Sequence, residues 1–188
     1  LSPVHGVFHL LFTAGVGYAT LDRIRAWRGQ RAVLSLLTVV SPHPAGRLWS
    51  AATAVGLEPA RLRVVVGLPT PAFTVGLVRP SVYIDARLEN GLAADELEAV
   101  LAHEAAHVRR LDPLRFSALR FLACTLFWLS AVRRLVEDLA DEAEVVADDA
   151  AIRGRPLALA SALLALAQWR GGEQVGIGFG NRDMLERR

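Results

Sequence analysis

The residue pattern with the clearest chemical meaning in this sequence is H-E-x-x-H at residues 103–107. On a helix, His103 and His107 lie four residues apart on one face, so both imidazoles can reach one ion. Glu104 is offset by about 100° around the helix axis, so its carboxylate can reach a water molecule bound to that ion. Small Ala105 and Ala106 and the apolar residues around them predict a buried helix, where such polar groups need a role. We therefore predict a metal site with Glu104 as its general base.

A catalytic zinc ion normally has three protein ligands and a water molecule, so a third ligand must come from elsewhere. The candidates are acidic residues of a later helix: Glu137, Asp141, Glu144 and Asp148 on one face, with Asp138, Glu142 and Asp149 off it. A solvated acidic face is the alternative. Apolar neighbours predict burial of the end that carries Glu144 and Asp148. Glu144 is therefore the predicted ligand, and Asp148 is placed to accept a hydrogen bond from a ligand imidazole.

The elements that must position these residues are mainly helical. Apolar periodicity predicts helices over residues 47–57, 95–112, 135–153 and 157–169, the second with a capping-box-like start at Asp95 and Glu98. Strand signals occur at residues 61–66, 72–78 and 81–85, with a hairpin turn at Arg79-Pro80. Gly76 and two nearby prolines suit an edge strand. We predict an α+β fold with a small three-stranded antiparallel sheet.

A possible membrane segment precedes this region. Residues 2–21 carry no formal charge and are long enough to cross a bilayer, although a buried helix of a soluble core is the alternative. The arginines that follow, between residues 23 and 31, place that flank and the rest of the chain in the cytoplasm. Residues 121–132 are uncharged but too short to span, so they are either buried or interfacial. We predict a transmembrane segment at residues 1–22, a basic linker at 23–46 and a catalytic domain at 47–188.

Composition narrows the classes of protein. The 188 residues are 53% hydrophobic and 21% charged, which excludes a disordered chain. A net charge of +2 gives no reason to expect direct nucleic-acid binding. The single Cys124 cannot form an internal disulfide. The sequence lacks an initiator Met and ends within a helix-like segment, so we expect missing residues at both termini.

The order of motifs resembles that of the gluzincin membrane metallopeptidases, which carry H-E-x-x-H followed by E-x-x-x-D. The similar segments are HEAAH at residues 103–107, RRLDP at 109–113 and EVVADDAAI at 144–152, with the preceding hairpin at 72–76 and 79–84. BlaR/MecR-type sensor peptidases share this layout with HtpX-like and CAAX prenyl proteases. The pair Asp148-Asp149 is more similar to the BlaR/MecR type, because the HtpX type usually has a basic residue at the second position. This sequence departs from the BlaR/MecR type in two ways. It contains no extracellular sensor domain, and it has Ala147 where that type often has a cysteine.

The resemblance implies a zincin-type metalloendopeptidase with one zinc ion bound by His103, His107 and Glu144, and with Glu104 as the base. Asp148 and Asp112 would accept hydrogen bonds from the ligand imidazoles and so orient them. The resemblance also implies that one strand presents its edge to a peptide substrate. The residues of that edge are Phe73, Thr74, Val75 and Gly76.

The same resemblance implies a location and partners. The protein would lie in a bacterial cell membrane, with its catalytic domain on the cytoplasmic side. Its partners would be the lipid bilayer and a protein or peptide substrate, for which a transcriptional repressor cleaved during signalling is the leading candidate. The alternatives are an HtpX-like quality-control protease and a catalytically inactive zinc-containing transducer. An intact Glu104 argues against the inactive protein, because a structural zinc site has no use for a base.

Overall fold

Helices dominate the part of the chain that the computed structural model describes, residues 2–153 and 155–172. The order is α1 (Pro3–Ser35), β1 (Val39–Val40), α2 (Arg47–Ala54), a 3-10 turn (Pro59–Arg61), β2 (Leu62–Val65), β3 (Ala72–Val75), β4 (Ser81–Asp85), α3 (Arg87–Gly91), α4 (Ala94–Arg110), α5 (Asp112–Thr125), α6 (Ser130–Ile152) and α7 (Pro156–Gly172). The prediction of a mainly helical α+β fold is confirmed. The end of the predicted catalytic domain, beyond residue 172, lies outside the described residues.

The sheet differs from the prediction. Four strands lie in the order β1-β2-β4-β3, with β2 and β4 parallel and the other two pairs antiparallel. The predicted three-stranded antiparallel sheet is therefore wrong in both strand number and direction. Strand β4 lies between β2 and β3, and its residues Val82 and Ile84 are fully buried. Strand β3 lies at the edge of the sheet. The fourth strand, β1, has only two residues and gave no strand signal beside the prolines that follow it.

The turn between β3 and β4 depends on one glycine. Gly76 has a φ of +111°, and a Cβ atom there would lie 3.0 Å from the carbonyl oxygen of Arg79. Side chains rarely adopt this backbone conformation, so glycine allows the chain to reverse here. The reversal brings β3 back alongside β4 at the edge of the sheet.

Helix α4 crosses the centre of the molecule and packs against the sheet, α2, α6 and α7. Its start differs from the predicted capping box. The Glu96 side chain accepts a hydrogen bond of 2.8 Å from the backbone N–H of Ala93, whereas Glu98 forms an ion pair with Arg155. The core around α4 is built from fully buried aliphatic residues: Leu48, Leu62, Ile84, Leu88, Leu97 and Leu101. This packing fixes the helix that carries both histidines.

The corner between α4 and α5 returns the chain to the same helix face. Leu111 adopts the left-handed conformation, with φ 54° and ψ 39°, and ends α4. Pro113 then lies in the first turn of α5, where its missing N–H removes no helical hydrogen bond. As a result Asp112, the first residue of α5, folds back against His107.

Helix α1 runs through the predicted membrane segment and continues to Ser35. It packs along α5, with Gly15 and Ala19 as its buried residues. A Cβ atom at Gly15 would lie only 2.1 Å from the carbonyl oxygen of Thr125, so glycine permits the two backbones to touch. The predicted division of this region into a span and a basic linker therefore falls within one continuous helix.

Candidate metal centre

Three of the predicted site residues converge on one point. Their elements are α4, which carries His103 and His107, and α6, which carries Glu144. The Nε2 atoms of the two histidines are 3.2 Å apart. The Glu144 carboxylate oxygens lie 3.7 Å from Nε2 of His103 and 3.8 Å from Nε2 of His107. One possible ligand atom from each of the three residues lies within 4.8 Å of the other two.

Two carboxylates set the orientation of the imidazoles. Nδ1 of His103 is 3.0 Å from Oδ1 of Asp148, and Nδ1 of His107 is 2.9 Å from Oδ2 of Asp112. A carboxylate accepts hydrogen bonds, so each neutral ring carries its proton on Nδ1 and leaves the Nε2 lone pair free. The two lone pairs then face each other at close range. A cation between them removes that repulsion.

The spacing of these atoms fits a tetrahedral metal ion. Metal–nitrogen distances of about 2.0–2.1 Å and a tetrahedral angle place two ligand atoms roughly 3.3–3.4 Å apart. The Nε2 atoms, 3.2 Å apart, are close to that value, and Oε2 and Oε1 of Glu144 approach one nitrogen each, at 3.7 and 3.8 Å. Two imidazoles and one carboxylate also form a ligand set that zinc uses in catalytic sites, with a fourth position for water.

The carboxylate behind His107 is itself firmly held. Asp112 is buried, and its Oδ1 atom accepts hydrogen bonds from Arg115 at 3.1 Å and from Arg110 at 3.4 Å. Both arginines lie within one turn of Asp112 in the sequence. These two bonds fix the position of the carboxylate, whose other oxygen lies 2.9 Å from Nδ1 of His107.

Glu104 is buried beside the histidines and bonded to the sheet. The hydroxyl of Thr74, on β3, donates a hydrogen bond of 2.6 Å to Oε2 of Glu104. Burial raises the pKa of the Glu104 carboxyl above its ordinary value, while the Thr74 hydrogen bond and the nearby histidines oppose that rise. A carboxylate with a raised pKa is a better proton acceptor, which suits a general base.

Strand β3 has one side free for hydrogen bonding. The N–H of Asp85 donates to the carbonyl of Pro71 at 2.9 Å, so these two residues form a hydrogen-bonded pair. Antiparallel pairs alternate, so Phe73 and Val75 direct their backbone groups toward β4. Ala72 and Thr74 direct theirs away from it. In the described part of the chain, no other strand pairs with that side of β3.

A comparison with known families agrees with this geometry. The family model described as BlaR1 peptidase M56 matches residues 5–175. The chain belongs to the M56 peptidase family. The resemblance to BlaR/MecR-type peptidases is thereby confirmed, and membership of the M56 family makes the protein a membrane-associated metallopeptidase that acts on a protein substrate. No individually curated protein matches the sequence.

Helix α1 fits the membrane association of the M56 family. It is long and apolar enough to cross a membrane, and only a small part of it is buried by the rest of the protein. Its exposed face carries large apolar side chains along most of the uncharged segment: Val4, Val7, Phe8, Leu10, Leu11, Phe12 and Tyr18. Lipid contact would remove these side chains from water.

The M56 site also contains residues that sequence reasoning missed. Thr74 was expected only as part of a substrate edge, whereas its hydroxyl also bonds Glu104. Arg110 and Arg115 had no predicted role and hold Asp112. The pattern of an acid followed at i+3 by a base could have indicated the Arg115 contact. Glu137 and Asp141 lie outside the group of convergent side chains in the described residues.

Proposed function

We propose that the protein is a zinc metalloendopeptidase that hydrolyses peptide bonds of a protein substrate. The observation that carries this proposal is the convergence of the two Nε2 atoms, 3.2 Å apart, with the Glu144 carboxylate beside them and buried Glu104 adjacent. His103, His107 and Glu144 would hold the ion. This arrangement provides both a ligand set and a base, which a purely structural site does not need.

The residues of the chain would divide the reaction between them. When bound, zinc supplies the positive charge that polarises the scissile carbonyl and acidifies a water molecule. Glu104 accepts the proton of that water on its carboxylate and delivers it to the departing amine nitrogen. Thr74 orients Glu104 through the hydrogen bond of 2.6 Å. Asp112 and Asp148 keep the two imidazoles in the tautomer that offers Nε2.

The substrate would bind along β3 as an added strand. Ala72 and Thr74 offer backbone N–H and C=O groups on the open side of the strand, and Thr74 also contacts Glu104. A peptide that pairs with these groups would therefore run past the base and the histidines. Main-chain hydrogen bonds of this kind align an extended peptide without fixing its sequence.

The biological setting that we propose is signal transduction at a bacterial membrane. The substrate would be a cytoplasmic transcriptional repressor, and the catalytic domain would lie on the arginine-rich side of α1. Membership of the M56 family supports this setting over quality control of membrane proteins. The buried and hydrogen-bonded Glu104 argues against a catalytically inactive transducer.

Zinc analysis combined with a proteolysis assay tests the proposal. The purified protein should hold one zinc ion per chain by mass spectrometry of metals, and it should cleave an unfolded protein substrate. His103→Ala should lose both the ion and the activity. The control His43→Ala changes an exposed histidine that precedes the site in the sequence, and it should keep both. A parent protein that takes up no zinc, or a His103→Ala variant that still cleaves, would overturn the proposal.

A further inference from the structure

The corner between α5 and α6 exposes apolar side chains that the rest of the protein does not cover. Residues 121–132, which we call the apolar corner, carry no formal charge between Arg120 and Arg133. Within it, Leu122, Phe127 and Leu129 are 43%, 51% and 46% exposed. A cluster of large exposed apolar side chains is unusual on a water-facing surface and marks a contact with another apolar phase.

Two contacts show which part of α1 lies beside this corner. Oδ2 of Asp22 is 3.7 Å from Nε of Arg120, and Gly15 touches the backbone of Thr125. Residue numbers fall along α1 while they rise along α5, so the two helices are antiparallel. Gly15 lies about 10 Å from Asp22 along α1, toward the uncharged N-terminal half. The end of α5 therefore lies alongside the apolar part of α1.

We propose that the apolar corner is a second membrane contact, a helical hairpin that enters the leaflet beside α1 and returns. The inference rests on the proposed anchoring of α1 in the membrane. Residues 121–125 end α5 and residues 130–132 begin α6, so the two helical arms extend about 7–8 Å and about 4–5 Å. They are too short to cross a hydrocarbon core of about 30 Å, but they suffice for a shallow entry and return. The hairpin thus explains a segment that is uncharged and yet cannot span.

The backbone of the corner is suited to hydrocarbon. The N–H groups of Leu126, Leu129 and Val132 donate to carbonyls within the corner, at 2.8–3.1 Å. These three bonds reduce the number of backbone groups that would be left unpaired away from water. Arg120 stands where the chain would enter the leaflet, and Arg133 and Arg134 stand where it would leave. Cations at that level suit the headgroups of anionic lipids.

A lipid bilayer is the occupant that the observations favour over a protein partner. The apolar corner is continuous with the exposed apolar face of α1, and a bilayer that surrounds α1 meets both surfaces at the same depth. A protein partner would need a shape that fits around α1 and the corner together. A bilayer and a protein partner would give the corner different accessibility to small probe molecules, because oxygen dissolves in lipid whereas a protein interface excludes such probes.

Spin-label accessibility in vesicles tests the inference. Single cysteines replace Phe127, Leu129, Phe12 and Val66 in a Cys124→Ala background, and each labelled chain is reconstituted in phosphatidylcholine–phosphatidylglycerol vesicles. Phe12 reports on α1, and Val66, which is 75% exposed beyond the end of β2, is the matched surface control. Retained zinc content checks that every variant folds. Collisions with oxygen and with a water-soluble nickel chelate are measured by electron paramagnetic resonance.

The expected result is that labels at 127, 129 and 12 collide several-fold more with oxygen than with nickel, and that the label at 66 shows the reverse. Nickel accessibility at 127 and 129 with oxygen accessibility at 12 would overturn the apolar corner as a membrane contact while leaving the anchoring of α1 intact. Protection of 127 and 129 from both probes would indicate a protein partner and would also overturn it. Nickel accessibility at 12 would reject the anchoring of α1 and, with it, this inference, while the zinc assay would still decide the peptidase activity.

Discussion

The two walls of the metal centre are built differently. The wall formed by α4 and the sheet buries Glu104 and His107, and both have partners on the same side of the site: Thr74 for Glu104, and Asp112 for His107. Asp112 is in turn held by two arginines. This wall has its geometry before any ion binds.

The wall formed by α6 is open by comparison. The side chains of Glu144 and Asp148 are 63% and 51% exposed, and each reaches the site from a helix that meets solvent on much of its surface. We infer that the first wall fixes the base and the His107 imidazole, whereas the second wall supplies Glu144 and the Asp148 carboxylate that orients His103. The first wall therefore carries the base that acts in the reaction, and the second wall completes the set of metal ligands.

The largest expected effect comes from the base in the buried wall. Glu104→Gln keeps the shape and the Thr74 contact but cannot accept a proton. We expect peptidase activity to fall by about 10²–10⁴-fold because only the proton transfer is lost. Zinc content by metal analysis should stay at the parent level.

Glu142→Gln, an exposed change on α6, is the matched control and should retain parental activity. A Glu104→Gln variant as active as the parent would show that another group takes the proton. Loss of zinc from Glu104→Gln would instead make Glu104 part of the ligand set.

The carboxylates behind the two histidines compare the walls directly. Asp112→Asn and Asp148→Asn each replace an ionised acceptor with a neutral one, and such changes typically weaken metal binding by about 10–100-fold. We expect the larger loss for Asp112→Asn, because the buried variant also leaves Arg110 and Arg115 without their charged partner. Competition with a zinc chelator measures both affinities. Equal losses would mean that burial of the first wall adds nothing to binding.

A smaller effect is expected from the open side of β3. Ala72→Pro removes one free backbone N–H without touching the hydrogen bonds to β4. The loss of one hydrogen bond of about 0.5–1.5 kcal/mol should raise KM by roughly 2–10-fold. Ala72→Val, which retains the N–H, should leave KM within error of the parent. An unchanged KM in Ala72→Pro would remove this strand from substrate binding.

The last effect is on stability and leaves activity aside, and it concerns how Asp85, in the sheet, responds to acid. Asp85 is buried, which raises its pKa, but hydrogen bonds from the Arg87 side chain and from the backbone N–H groups of Arg87 and Leu68 outweigh burial and hold that pKa below its usual value. Because the folded pKa is the lower one, the contribution of Asp85 to stability is present above about pH 4 and is lost as pH falls through the folded value.

Chemical denaturation of Asp85→Asn in detergent micelles checks this expectation. At neutral pH the variant should be less stable than the parent by about 1–3 kcal/mol, and the difference should shrink below about pH 4. Asp141→Asn, at an exposed position on α6, should show no such convergence. A difference that stays constant down to pH 3 would mean that the charge of Asp85 contributes nothing.

The part of the molecule that could be predicted is the part that depends on local geometry. Helical spacing alone puts His103 and His107 on one face. Glu144 does reach the histidines, but the predicted burial of its end of α6 is wrong, because the side chains of Glu144 and Asp148 are 63% and 51% exposed. The sheet order could not be predicted, because it depends on which strand is buried on both sides. Val82 and Ile84 decide that only once α4 packs against them. The contact from Thr74 to Glu104 joins residues whose side chains meet only in the folded chain, and nothing in the spacing indicates it.

The contact between Gly15 and Thr125 also has a consequence for biosynthesis. Helix α1 is made before α5, which emerges roughly 100 residues later, and at about 5–20 residues per second this is a delay of roughly 5–20 s. During that interval the surface of α1 at Gly15 and Ala19, on which α5 later docks, remains uncovered by α5. A larger side chain at position 15 would therefore hinder the docking of α5 on α1 in the newly made chain. It would leave the chemistry of any correctly assembled molecule unchanged.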